Sequence, residues 1–210
     1  MYKVYGDIQS GNCYKIKLLM NLLNLSHTWV HLELLKSATR TEAFKLMNSN
    51  MKIPVLELDD KRFIAESNAI LNFLSAGTAY LPEDNYQRAL VLQWQFFEQY
   101  SHEPYIATAR FINKYLGLPD DRKAEYLGKQ EGGHKALAVM ETQLNKSEFL
   151  TGTNFTIADI SLYAYTHMAH EGGFDLAKYP AIQRWISHVA QTPGFISMDG
   201  AAKQVGENGG

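Results

Sequence analysis

Along this chain the spacing of apolar residues changes character once. Through the first third, runs that alternate every second residue are interleaved with runs spaced every three to four; from about Tyr86 onward only the helical spacing recurs. Tyr2-Lys3-Val4-Tyr5 reads as a first strand that ends at Gly6 and a polar loop. Ile16, Leu19, Met20 and Leu23 then share one face of a helix ending near Asn24. Val30, Leu32 and Leu34 alternate with Trp29, His31 and Glu33, the pattern of a half-buried strand. A second helix is expected from about Thr41 to Met47, followed by an extended run from Ile53 to Leu58. An Asp59-Asp60 turn and the run Arg62-Phe63-Ile64 complete an antiparallel hairpin. Ala69, Ile70, Phe73 and Leu74 mark the next helix, ending near Gly77, so the order is βαβαββα.

Ala79 to Asp84 reads as a linker, and Leu90, Val91, Trp94 and Phe97 open a long helical stretch. Further helices are expected around Arg122 to Leu144, Ile157 to Ala169 and Ala181 to Ala190. Gly132-Gly133 weakens the first of these, since an interior glycine costs about 1 kcal/mol relative to alanine. The expected organisation is an α/β domain over 1–78, a linker over 79–85, an all-α domain over 86–200 and a frayed tail over 201–210. The aromatic residues Trp94, Phe96, Phe97 and Tyr100 are expected as core and cleft wall.

Composition narrows the class. With 46% hydrophobic and 20% charged residues and a net charge of -2, the chain is globular and carries no basic field to favour nucleic acid. It shows neither a signal-peptide pattern at the start nor a run of roughly 18 apolar residues, so a cytoplasmic protein without a membrane partner is expected. A single cysteine, Cys13, can neither form an internal disulfide nor supply a zinc site by itself.

Three local signals carry chemistry. Ser10-Gly11-Asn12-Cys13 sits between a strand and a helix start, where unpaired N–H groups and the helix dipole favour an anion such as a thiolate. Taken alone, the loop reads first as a plain helix cap by Ser10 or Asn12. In Lys52-Ile53-Pro54-Val55 a proline opens an extended run; a cis peptide before Pro54 would leave the Ile53 backbone to pair with an extended peptide ligand. Glu66-Ser67, at the start of a helix, suits the zwitterionic end of an amino acid: N–H groups and a hydroxyl for its carboxylate, a side-chain carboxylate for its ammonium.

In this order the stretches YGDIQSGNCYKIKLLMNLL, MNSNMKIPVLEL, FIAESNAILNFL and FLTGTNFTIADISLYAYTH resemble the cytosolic glutathione transferase family, of the bacterial serine type with some nu-like features in the first loop. The resemblance implies a thioredoxin-like N-terminal domain and an all-helical C-terminal domain. It implies glutathione as co-substrate, no metal and no dissociable cofactor, a homodimer, and a role in detoxification with a small electrophilic molecule as second partner. Ser10 matches the serine that stabilises the glutathione thiolate, with Asn12 as the competing catalytic position. Lys52 would reach the glycyl carboxylate, Ile53 and Pro54 would hold the cysteinyl part, and Glu66 and Ser67 the γ-glutamyl end. The family often has Asn-Pro-x-Gly before its Lys-Val-Pro, whereas here Asn48 is followed by Ser49 and the glycine position is Met51.

Cys13 reads either as a small residue packed in the first helical turn or as a thiol for mixed disulfides. Thr156 and Asp159 have the spacing of a capping box, a structural role. For the second substrate, His102, Tyr105, Arg110 and His167 are the candidates, at positions that the resemblance turns toward the cleft. Three functions follow: attack of a glutathione thiolate on an electrophilic carbon, a glutathione-dependent disulfide reductase or peroxidase, and a non-catalytic module that binds a protein partner.

Overall fold

The computed structural model describes residues 1–33 and 38–207. The expectation for Leu34 as a strand residue therefore lies outside the described residues, as does that for 208–210 of the tail. The chain forms two compact units, one of Met1–Ala76 together with the segment from Thr192 onward, the other of Gly77–Gln191.

In the first unit, β1 (Tyr2–Gly6), β2 (His27–His31), β3 (Val55–Glu57) and β4 (Phe63–Ala65) form one sheet in the order β2-β1-β3-β4. β1 runs parallel to β2 and antiparallel to β3, and β3 is antiparallel to β4. β2 starts at His27, earlier than its alternation shows, because all five residues of β1 find partners from His27 to His31. α1 (Gly11–Leu22), α2 (Glu42–Met47) and α3 (Ser67–Ser75) complete the βαβαββα order. α1 is buried around much of its circumference, with Cys13, Tyr14, Ile16, Leu18, Leu19 and Met20 in the core. Thr41 caps α2 by accepting a hydrogen bond from the Phe44 N–H at 3.1 Å. The Asp59-Asp60 turn closes with Lys61 in the left-handed region (φ 67°) and the Leu58 N–H donating to the Arg62 carbonyl at 2.8 Å.

The second unit contains α4 (Asn85–Phe97), α5 (Glu103–Arg110), α6 (Lys123–Leu144), α7 (Ile157–Thr166) and α8 (Pro180–Ala190). The long helix expected from Tyr86 is interrupted by a π-helical turn at Glu98–His102. Pro104, in the first turn of α5, has no N–H to donate and its ring would clash with the carbonyl four residues back, so the helix widens there. The helix expected around Arg122 to Leu144 forms as α6 and runs unbroken through Gly132-Gly133. A Cβ on Gly132 would stand 2.2 Å from the Tyr105 ring and one on Gly133 2.3 Å from the Phe174 ring, so these glycines admit two aromatic rings to the helix surface. The aromatic stripe also divides differently from expectation: Trp94 is buried, while Phe96 is 69% and Tyr100 86% exposed. Phe96 and Tyr100, four residues apart, share a helix face other than the one that buries Val91, Trp94 and Gln95.

α7 is buried along its whole length. Thr156 and Asp159 form the capping box, and Asp159 accepts in addition from the Leu150 N–H at 2.9 Å and from Trp185 Nε1 at 2.9 Å. Burial pushes the Asp159 carboxyl up to about 6, with these donors pulling the other way.

Residues 201–207, expected to fray, belong to α9 (Met198–Glu207), which buries Ala201 and Val205 in the first unit. Tyr14 Oη donates to the Ile196 carbonyl at 2.7 Å and Asn21 Nδ2 to the Gly194 carbonyl at 2.8 Å, tying the returning chain to α1.

Candidate active site

Strand register brings three loops to one end of the sheet. Tyr5, near the end of β1, pairs with Val55, the first residue of β3, and Val55 pairs with Ala65, the last of β4. The loop leaving β1 at Asp7–Ser10, the loop entering β3 at Lys52–Pro54 and the step from β4 into α3 at Glu66–Ser67 thus converge.

The first loop is shaped by Asp7, whose carboxylate accepts from the Gln9 N–H at 3.0 Å and whose carbonyl accepts from the Ser10 N–H at 2.9 Å. Ser10 is the N-cap of α1 in extended backbone (φ −75°, ψ 125°), but its side chain does not bond the helix end. The hydroxyl is therefore not spent as a cap. Cys13 is fully buried in the first turn of α1, against Gly6, where an added Cβ would lie 2.7 Å from Sγ. Burial pushes its thiol up to about 12, outweighing a hydrogen bond with Ser10 that lowers it.

The second loop is organised by Asn48, whose Nδ2 donates to the Lys52 carbonyl at 2.8 Å and whose Oδ1 accepts from the Asn50 N–H at 3.0 Å. Met51 stands here in the left-handed region (φ 51°), without the glycine that most relieves that backbone. Lys52 is exposed, Pro54 is buried, and the Ile53–Pro54 peptide is cis.

At the third loop Glu66 caps α3 with φ 66° and its side chain exposed, while Ser67 is buried. Ser67 Oγ donates to Asn12 Oδ1 at 3.1 Å, and Lys15 Nζ donates to the same oxygen at 2.8 Å and lies 3.4 Å from Ser67 Oγ. The starts of α1 and α3 are thereby joined through a buried lysine. Lys15 was missed in the sequence, and the signal for it was its position three residues after Asn12 on one helix face.

In the second unit the four candidates for a second substrate fall in different places. His102 is fully buried, its Nε2 donating to Thr166 Oγ1 at 2.9 Å while that hydroxyl donates to the Leu162 carbonyl. Arg110 is buried and donates through Nε to Glu171 at 2.5 Å and through Nη1 to Tyr115 at 3.1 Å. His167 stacks on Tyr163 with ring centroids 4.5 Å apart, and burial draws its imidazole down to about 4. Tyr105 borders a cavity of about 250 Å³, together with Phe97, Tyr100, Ser101 and Val139. Among the described residues no three His, Cys, Asp or Glu side chains gather as a metal site would require, and no helix is long and apolar enough to cross a membrane.

Comparison with known proteins identifies both domains. Residues 9–76 match the model of the glutathione S-transferase N-terminal domain and residues 94–193 that of the C-terminal domain. A glutathione S-transferase structure from Pseudomonas fluorescens is 58% identical, with a TM-score of 0.93 over 94% of this chain and 98% of that one. Glutathione S-transferase 2 of Anopheles gambiae is 29% identical over 93% of both chains. The disulfide-bond oxidoreductase YfcG of Escherichia coli is 25% identical over 87% of both.

Proposed function

The chain belongs to the glutathione S-transferase family, and from that premise we propose that it binds glutathione where the three loops converge and activates its thiol for attack on an electrophilic, mostly apolar second substrate. The carrying observation is the Asn12–Lys15–Ser67 network, which links the loop for the sulfur to the helix start for the γ-glutamyl end. Ser10, with its hydroxyl unspent as a cap, donates to the thiolate at the positive end of α1. Ile53 and Pro54 receive the cysteinyl part, Glu66 and Ser67 the γ-glutamyl ammonium and carboxylate, and Lys52 the glycyl carboxylate. The thiolate forms a carbon–sulfur bond as the leaving group departs with its electron pair, and the thiol proton passes to solvent. Proximity and thiolate stabilisation are the protein's contributions.

A disulfide reductase is the second reading, favoured by the Escherichia coli relative and by the central place of Asn12. Such chemistry would run on the thiol of glutathione itself, since burial holds Cys13 up at about 12. Calorimetry with glutathione, followed by steady-state assays with an aromatic halide, a hydroperoxide and a mixed disulfide, tests both. Turnover of the halide is the expected result, turnover of the disulfide alone shifts the assignment to the reductase, and absence of glutathione binding overturns both in favour of a binding module.

A cytosolic homodimer completes the reading. The exposed Phe96, Tyr100 and Val139 of the second unit support a self-association surface, and light scattering of the purified protein at twice the chain mass is the expected result.

A further inference from the structure

Lys17, one turn beyond Cys13 on α1, takes no part in the site above. It is only 6% exposed, and among the described residues no carboxylate lies within ion-pairing distance of it. Its ammonium donates to His27 Nε2 at 3.2 Å, a direction set by His27 Nδ1, which donates to the Leu25 carbonyl at 2.8 Å. Burial lowers the pKa of both groups from their ordinary values, and the Lys17 charge adds to the effect on His27. A cavity of about 360 Å³ opens on this pair, bounded by Leu25, Ser26, Thr28 and Trp29 on one side and by Gln204 and Val205 of α9 on the other. Met1 also borders it, with its amine held by the Asp59 carboxylate.

We propose that this cavity is a binding site for a small monocarboxylate with a short aliphatic body, whose carboxylate pairs with the Lys17 ammonium. A buried cation without a counter-ion is poorly solvated, and an imidazole lone pair replaces only part of what water supplied. A ligand carboxylate provides the missing opposite charge. One ammonium is a compact point charge that a single carboxylate balances. Leu25, Trp29 and Val205 give the aliphatic body an apolar wall, while Ser26, Thr28 and Gln204 supply polar neighbours for the carboxylate. The volume falls in the range of small-molecule sites, about 300–1,000 Å³. α9 forms one wall, so the site exists only because residues 198–207 fold back onto the first unit.

Thermal unfolding in sodium butyrate, against sodium chloride at equal ionic strength and against inorganic phosphate, tests the assignment. Butyrate is expected to raise the Tm saturably beyond chloride, with an affinity about tenfold or more weaker in Lys17→Met, as loss of one partner of a buried charge pair requires. No rise beyond chloride, an equal rise in the variant, or an equal effect of phosphate would overturn it. Should Lys17→Met not fold, carbon-13 NMR of labelled lysine in the wild-type protein decides: butyrate should raise the titration midpoint of Lys17, and an unmoved midpoint refutes the site.

Discussion

At the mouth of α1, burial divides the polar roles among residues that are close neighbours in sequence. Cys13 is sealed against Gly6 with its thiol pushed up to about 12, and the hydroxyl of Ser10 is the proposed donor for a sulfur anion. Ser10→Ala is expected to lower kcat by about ten- to a hundredfold while glutathione affinity moves less than about threefold, because the bond strengthens as the thiolate forms. Unchanged kcat at saturating glutathione would transfer the role to Asn12. His167 allows a test by pH. Its pKa falls from 6.5 in the free side chain to about 4 in the fold, so between those values the unfolded chain binds more protons than the native one. Its contribution is complete above about pH 6.5 and is lost as the pH falls through about 4. His167→Phe keeps a ring against Tyr163 and removes the titration, so the stability of wild type relative to the variant should drop by about 3 kcal/mol from pH 7 to pH 4. Urea unfolding at the two pH values measures it, and a constant difference would show that His167 is not buried neutral. Ser10, Asn12 and Ser67 are legible in sequence because helix starts advertise their polar residues. Lys15 is less so, since a lysine within a helix ordinarily reads as a solvated one; its spacing from Asn12 is the sequence signal, and its burial between α1 and α3 shows the role.

Elements of this protein follow their apolar spacing where packing agrees with it and depart where a neighbour intrudes. In α6, Gly133 faces the buried Phe174 ring, so Gly133→Ala should destabilise the protein by about 1–3 kcal/mol through overpacking, despite a helix preference of about 1 kcal/mol in favour of alanine. Gly128 lies in the same helix with nothing within 4 Å of an added Cβ, and Gly128→Ala should instead gain about 0.5–1 kcal/mol. Denaturant midpoints of the two variants, moving in opposite directions, check the argument; parallel movement would contradict it. The π-helical turn ahead of α5 has a cause visible in sequence, Pro104, yet its consequence is a widened helix rather than a break. The division of the aromatic stripe was equally implicit, since Phe96 and Tyr100 lie four apart while Trp94 keeps step with Val91.

For the molecule as a whole, the chain leaves its first unit at Ala76 and returns to it at Thr192. The return rests in part on Tyr14, whose hydroxyl is buried against the Ile196 carbonyl. Tyr14→Phe should cost the first unit about 1–2 kcal/mol by leaving that carbonyl without its donor, and should raise hydrogen exchange across α9. Exchange unchanged in α9 would show that the segment is held by other contacts. The sequence by itself determined the βαβαββα order, the helical remainder and the family, because each rests on local periodicity or on an ordered motif. Only the tertiary structure decided that Cys13 is buried with its thiol pushed up, that Lys15 bridges two helix starts, that Gly132 and Gly133 serve packing, and that residues 198–207 form a helix beside a cavity at Lys17. Those outcomes depend on which surfaces meet across long stretches of chain. Burial, which sets both the pKa of a thiol and the partners of an ammonium, is a property of that meeting and leaves no periodic trace along the sequence.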